Sequence, residues 1–358
     1  MIAASVPLQR PPDAKLLVAD RSGRVRHMER STLVGLFEAG DLVIANDAAT
    51  LPASLVGRHL PSGHVIEARL AGRNSLALDQ VKIFSAVLFG AGDFHLRTED
   101  RQLPPQVQAG DRVALGSLHA TVASLLDHPR LVALEFDGSP REIWEGLARH
   151  GQPIQYSHLP ERLAIWDTWT PIAGPPVAFE PPSASFVLDW NALASMRARR
   201  VRFATITHAA GISSTGDAEL DALLPLDEPY RIPASTATAI GTVRAQGGRI
   251  VAIGTTVVRA LEHAARVDGI VRAGEGLATQ RIGASSELRI VDAIVSGTHE
   301  RGNSHYELLR AFADDETLGR IDQELNAHAY RTHEFGDSVF LESAHRGSRA
   351  VVPRSAAA

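Results

Sequence analysis

Residues 249–262 read R-I-V-A-I-G-T-T-V-V-R-A-L-E, and this stretch decides the fold. It opens with Ile250, Val251, Ala252 and Ile253, an apolar run with the length and β-branched content of a buried strand. Gly254 ends the run and two threonines follow. Val257, Val258, Leu261 and Ala264-Ala265 then recur at three- and four-residue spacings, which lays an apolar stripe along one helix face. A strand, a glycine turn, a hydroxyl pair and a helix make a βα unit. Its first helical amides lack partners, and the helix dipole favours negative charge there. Thr255 and Thr256 either cap that terminus or meet a ligand carboxylate or ribose. The stretch is neither a Walker loop nor a dinucleotide fingerprint, because Gly-Lys-Ser/Thr and G-x-G-x-x-G are both missing.

The neighbouring stretches repeat the alternation. Residues 236–246 form a helix closed by Gly247-Gly248, which feeds the central strand. Residues 288–295, L-R-I-V-D-A-I-V, read as another strand, running into Ser296-Gly297-Thr298-His299. Helices over 305–313 and 318–329 follow, then a turn at Gly336-Asp337 into a last strand. Upstream, strands are expected at 16–19, 25–28, 41–46 and 201–207, with helices at 33–39 and 187–199. Strands alternating with helices predict an α/β core. Asn46, His208, Thr255-Thr256 and His299 close their strands, so parallel pairing would gather them on the sheet edge where ligands bind.

Between residues 57 and 137 helical periodicity fades. Short alternating runs at 65–70, 83–88, 94–97, 112–115, 118–126 and 131–136 are punctuated by Gly, Pro, Asn and Asp. The expected organisation is an α/β core of residues 1–56 and 138–358, carrying the active site, with a small β-barrel domain inserted at 57–137. Ser139-Pro140-Arg141-Glu142 begins a helix with a capping box and proline at the first helical position. Residues 170–182 form a long proline-rich loop, and residues 348–358 read as a loose tail.

With 44% hydrophobic and 22% charged residues, the 358-residue chain has the balance of a soluble globular protein with a sizeable core. It has no cysteine, which excludes disulfides, thiolate metal sites and cysteine nucleophiles. No apolar run approaches a membrane span, and residues 1–10 are too short and weakly apolar for a signal peptide, so a cytoplasmic location is expected. The net charge of −5 allows nucleic-acid binding only through a local basic face. Arg197, Arg199, Arg200 and Arg202 are either such a face or a solvated helix end. Neither His299 with His305 nor His328 with His333 forms an H-E-x-x-H helix, so no metal is expected.

The motifs G-D-L-V-I-A-N-D at 40–47, G-G-R-I-V-A-I-G-T-T-V-V-R-A-L-E at 247–262, V-D-A-I-V-S-G-T-H at 291–299 and F-G-D-S at 335–338 occur in a recognisable order. In that order the chain resembles the S-adenosylmethionine:tRNA ribosyltransferase-isomerase family of queuosine biosynthesis, from about residue 16 to 341. The resemblance implies an α/β core with an inserted small β-barrel. It implies S-adenosylmethionine as ribosyl donor and tRNA as partner. The ribosyl part moves to the aminomethyl group of a 7-deazaguanine in the anticodon, leaving an epoxy-cyclopentanediol on the base. Such a reaction needs a base beside the sulfonium, assistance to adenine departure and a pocket for the methionine carboxylate. The catalytic candidates are His208, His299 and Asp337, and the substrate-binding candidates are Asn46, Glu228, Thr255, Thr256 and Arg259. Each has a structural alternative: a hydrogen-bonded histidine, a turn aspartate or a salt-bridged arginine. The chain also departs from the family. Ala49 and Ser54 stand where the family has arginines, Val187 where it has histidine, and Gly302 where it has lysine. The other reading is therefore a catalytically silent or substrate-altered relative that binds a nucleoside or RNA.

Overall fold

A computed structural model describes residues 1–344. The tail expected at residues 348–358 lies outside the described residues. The βα reading holds: Ile250–Ile253 is a strand and Thr255–Ala264 a helix. That strand is the centre of a nine-stranded mixed sheet, with four strands on either side. On one side run Leu42–Asn46, Arg202–His208, Glu228–Ile232 and Gly274–Ala278; on the other run Ala293–Gly297, Ser338–Glu342, Lys15–Ala19 and Val25–Glu29.

The four strands Arg202–His208, Leu42–Asn46, Ile250–Ile253 and Ala293–Gly297 are mutually parallel. Their carboxyl ends therefore meet at one edge, as the polar strand ends require. Glu228–Ile232 pairs antiparallel with Arg202–His208, and Ser338–Glu342 antiparallel with Ala293–Gly297, so each brings its first residues to that same edge. The central strands are apolar on both faces because both faces are covered. Ile250 and Ala252 face one core with Leu42 and Ile44, whereas Val251 and Ile253 face another with Val43 and Ala45. The first core is covered by the helices Ala234–Ala245, Thr255–Ala264, Ser304–Leu309 and Asp315–Ala327; the second includes residues of Arg30–Leu36 and Trp190–Ala198.

The expected β-barrel is present and closed, built from six antiparallel strands. They are Ser54–His59, Val65–Gly72, Ile83–Phe89, Arg112–Leu115, Leu118–Leu125 and Leu131–Phe136. Closure removes exposed sheet edges and gives the interior its own apolar core. The helix Pro140–His150 packs against it. A Cβ on Gly146 would lie 2.3 Å from Leu118, so only glycine allows that approach.

Several expectations change. Barrel pairing begins at Ser54, ahead of the expected boundary at 57, because Ser54 to Arg58 pair with Arg69 to Val65. Residues 94–97 are not a strand but turns leading into the 3-10 turn Thr98–Asp100. The helix expected at 33–39 is the 3-10 segment Arg30–Leu36. The helix expected from 187 starts at Trp190, because the Asp189 carboxylate accepts from the Ala192 amide at 2.6 Å. The strand expected over 288–295 is Ala293–Gly297. Its first residues are diverted by the Glu262 carboxylate, which accepts from the amides of Arg289, Ile290 and Val291 at 2.8–2.9 Å. The strands Glu228–Ile232 and Gly274–Ala278 were not anticipated at all.

Candidate active site

A cleft of about 540 Å³ opens at the carboxyl edge of the parallel strands. Segments far apart in sequence line it: 97–99 from the barrel's connecting loop, 156–158, 180–184, 210–214, the start of the helix at Gly254, and 296–308 with 333–334. A second hollow of about 460 Å³ surrounds Arg249. Its guanidinium is held by Asp41 and Glu342, each at 2.6 Å, so that hollow is a structural ion-pair cluster.

The Gly254-Thr255 turn fulfils the helix-terminus expectation. Gly254 has φ 94° and ψ 152°, a conformation essentially reserved for glycine, and no side chain caps the helix. Thr255 and Thr256 both line the cleft. The Thr256 hydroxyl accepts from Asn46 Nδ2 at 3.3 Å. A Cβ on Gly254 would lie 3.3 Å from Ala184, so the turn also fixes the 180–184 segment against the helix end.

Glu228 and Arg259 line the cleft as a buried ion pair between Glu228 Oε2 and Arg259 Nη1. Arg259 spends its other donors on carbonyls: Nε to Gln280 at 3.0 Å, and Nη2 to Leu226 and Ala278 at 2.8 Å each. Glu228 also accepts from the Gly211 amide at 2.6 Å. Burial raises the Glu228 carboxyl above its ordinary value, against the opposing pull of Arg259. Arg259 is thus a clamp on the strands Glu228–Ile232 and Gly274–Ala278, with little left to offer a ligand.

Three other expected site residues are held behind the wall. Asn46 is fully buried; its Oδ1 accepts from His208 N at 2.9 Å and Ala48 N at 3.1 Å, while Nδ2 donates to the His208 carbonyl at 2.9 Å. His208 is also fully buried, with neither ring nitrogen hydrogen-bonded and Nε2 3.4 Å from Glu228. Burial first, then the Arg259 charge, push its pKa down to about 3, so it is neutral at pH 7 and is no proton carrier there. Asp337 is a structural turn carboxylate. It accepts from Lys15 N at 2.8 Å and Arg331 N at 2.7 Å, pairs with the Arg331 guanidinium at 3.1 Å, and does not line the cleft.

His299 does line the cleft. Its Nε2 contacts the Ser296 hydroxyl at 2.9 Å, and its ring stacks on His305 with centroids 4.7 Å apart. Burial and then the His305 charge hold its pKa well below the ordinary imidazole value. His158 and His333 stack in the same wall at 4.1 Å, and His158 Nε2 contacts Glu334 at 3.1 Å. His333 holds φ 69°, a strained backbone for a non-glycine residue.

Sequence reasoning missed Tyr156, Glu180 and Glu334, and weighed His305 only as a metal partner of His299. Glu180 is 8% exposed and accepts from the Tyr156 hydroxyl. Burial, outweighing the Tyr156 and Ser213 hydrogen bonds, raises its pKa from 4.5 to about 7. It sits alone in a proline run, with no spacing to mark it. The cleft therefore sets an uncapped helix N-terminus beside the buried carboxylates Glu180 and Glu228 and the half-buried Glu334. That combination suits a ligand bearing a carboxylate at one end and a cation in its body.

Among the described residues, His27, Glu324 and His328 place potential metal-ligating atoms within 4.8 Å of one another. None lines the cleft, and both His27 nitrogens are hydrogen-bonded, to Tyr330 at 2.9 Å and Glu324 at 3.1 Å.

Comparison with known proteins agrees with the motif order. Residues 1–341 match the family described as queuosine biosynthesis protein. The S-adenosylmethionine:tRNA ribosyltransferase-isomerase of Thiobacillus denitrificans is 30% identical over 346 residues, covering 94% of each chain. The protein of the same name from Ralstonia nicotianae is 30% identical over 349 residues, covering 95% of this chain and 92% of its own. The solved S-adenosylmethionine tRNA ribosyltransferase of Thermotoga maritima superposes with a TM-score of 0.50 at 22% identity, covering 95% and 96% of the two chains, and shares the fold. A match along nearly the whole chain, on the sheet and barrel just described, means that this chain belongs to the queuosine biosynthesis protein family.

Proposed function

We propose that the cleft binds S-adenosylmethionine and transfers its ribosyl moiety to 7-aminomethyl-7-deazaguanine in tRNA, with isomerisation to epoxyqueuosine. The carrying observation is the pairing of an open helix N-terminus at Gly254-Thr255 with buried carboxylates across one cleft. The amides and hydroxyls of Thr255 and Thr256 receive the methionine carboxylate. Glu228 and Glu334 favour the sulfonium and the acceptor amine, each cationic before reaction. His299 lines the same cleft as a neutral imidazole, suited to hydrogen-bond the departing adenine. Asn46 and His208 support these groups from behind, and Arg259 holds Glu228 in the cleft wall.

The silent-relative reading is less well supported. Ala49 and Val187, which stand at family arginine and histidine positions, do not line the cleft. Ala49 is buried in a two-stranded pairing with Pro176–Ala178. No helix among the described residues is long and apolar enough to cross a membrane. A cytoplasmic place and a separate inserted barrel domain, with its pairing starting at Ser54, belong to the same proposal.

The test is adenine release from S-adenosylmethionine, with and without tRNA carrying the aminomethyl base. Release that requires the tRNA is the expected result. Release without it would keep the donor chemistry and assign another acceptor. Binding of the donor with no release under either condition would overturn the transferase reading.

A further inference from the structure

The transfer begins with loss of a proton from carbon next to a sulfonium, and that step needs a base at the cleft. Several ionisable groups line the cleft, and the surroundings of Glu228, Glu334, His299 and Glu180 separate these four. Glu228 is raised by burial, but both its oxygens are occupied, Oε2 by the Arg259 guanidinium and Oε1 by the Gly211 amide, and both partners oppose that rise. Glu334 is held by His158 at 3.1 Å, and that partnership keeps its carboxyl below the ordinary value despite burial. His299 is desolvated beside His305, so its imidazole binds a proton poorly. Glu180 is hydrogen-bonded to neutral groups, the Tyr156 hydroxyl and the hydroxyl and amide of Ser213, and the nearby Glu334 charge raises its carboxyl further.

The placement of Glu180 is also fixed. The Phe179 amide donates to the Ala210 carbonyl at 2.8 Å, which ties the residue before it to the 210–214 loop. Ala184 packs on Gly254, which ties the residues after it to the helix end that receives the carboxylate. The Tyr156 hydroxyl lies 3.2 Å from the Ser214 carbonyl as well, so the tyrosine bridges the loop and the carboxylate.

We propose that Glu180 is the general base of the ribosyl transfer, with Tyr156 as its positioning residue. The proposal rests on the functional reading above. In the step, a Glu180 oxygen takes a proton from C5′ of S-adenosylmethionine. The C–H bond breaks, an O–H bond forms, and the electron pair stays on C5′ beside the positive sulfur as an ylide. The bound sulfonium draws the carboxyl towards its ionised form, so donor binding readies the base it needs. A carboxyl that titrates near neutrality in the free protein is matched to this work.

The experiment follows deuterium uptake at C5′ of S-adenosylmethionine in heavy water, together with adenine release from the full reaction. Glu180→Gln keeps shape and hydrogen bonding but removes the base. Exchange and kcat should fall by about 10²–10⁴-fold, the usual contribution of a general base, with the donor Kd changed less than about threefold. The rising limb of the wild-type kcat/KM profile, expected near the Glu180 pKa of about 7, should be lost. Tyr156→Phe removes a hydrogen bond that favours the carboxylate, so its rising limb should move to higher pH with activity retained. Glu180→Asp, kept as a second variant, should recover part of the exchange. Wild-type kcat in Glu180→Gln, or an unmoved limb in Tyr156→Phe, would overturn the assignment and leave the transferase reading standing. Loss of donor binding in Glu180→Gln would overturn it too and make the residue a binding group. A wild-type protein with no donor turnover at all would overturn the functional reading itself.

Discussion

Glu180 shows what burial does to one carboxyl. Its ordinary pKa is 4.5, and in the folded protein it is about 7. The native state therefore holds this proton more tightly than the unfolded chain does. The stabilising contribution is fully present below pH 4.5 and is lost as pH rises through about 7. At one pKa unit per ~1.36 kcal/mol the swing is at most about 3 kcal/mol. A glutamine has no such loss. Glu180→Gln should raise Tm by several degrees at pH 8.5 and by almost nothing at pH 4, and thermal melts across that range measure it. Arg259 gives the opposite case. Arg259→Met strands the Glu228 carboxylate and three carbonyls, and breaking a buried pair in this way costs about 3–5 kcal/mol. Adding Glu228→Gln should return part of that in urea unfolding. Residue type in the sequence pointed to Glu228 and Arg259, yet it did not say that Arg259 would be used up by carbonyls. Nor did it mark Glu180, whose environment is made by Tyr156 and Ser213 from other parts of the chain.

At the scale of elements, pattern was informative where burial was two-sided and continuous. The Ile250–Ile253 strand and the Thr255–Ala264 helix follow from their apolar spacing alone. Glu228–Ile232 and Gly274–Ala278 escaped because E-P-Y-R-I and G-E-G-L-A carry proline and glycine, which weaken a strand signal. The start of the Ala293–Gly297 strand was placed too early, at 288, because a side chain, Glu262, takes the amides that a strand partner would otherwise take. Glu262→Ala should free those three amides in a buried setting, at about 1–3 kcal/mol for each donor left unpaired. Hydrogen exchange at residues 289–291 should speed up well before global unfolding. The Gly254 turn makes a second element-scale prediction. At φ 94° and ψ 152°, Gly254→Ala should cost about 1–3 kcal/mol, and its methyl group would press on Ala184. Donor affinity should fall with stability, because the helix terminus shifts; calorimetric titration with S-adenosylmethionine reads this directly.

The whole molecule is a sheet and a barrel with separate apolar cores, and the cleft draws on both parts. Residues 97–99 reach it from the barrel's connecting loop, while Thr255, His299 and Glu334 reach it from the sheet and its connections. Their joint placement was partly legible: parallel strands ending in polar residues predicted a shared edge, but not which loops would cross above it. A ligand held there touches both bodies, so its binding free energy should stabilise both. At a free concentration of one hundred times Kd, a ligand specific for the native state adds about 2.7 kcal/mol. S-adenosylmethionine should therefore raise the unfolding temperature of barrel and sheet together in scanning calorimetry, with a concentration dependence that yields Kd. Adenine alone, lacking the carboxylate for the Thr255 terminus and the sulfonium for the buried carboxylates, should shift it far less. Equal shifts from the two compounds would mean that the helix end and the carboxylates contribute nothing to recognition. The cleft would then be a nucleobase pocket and no more.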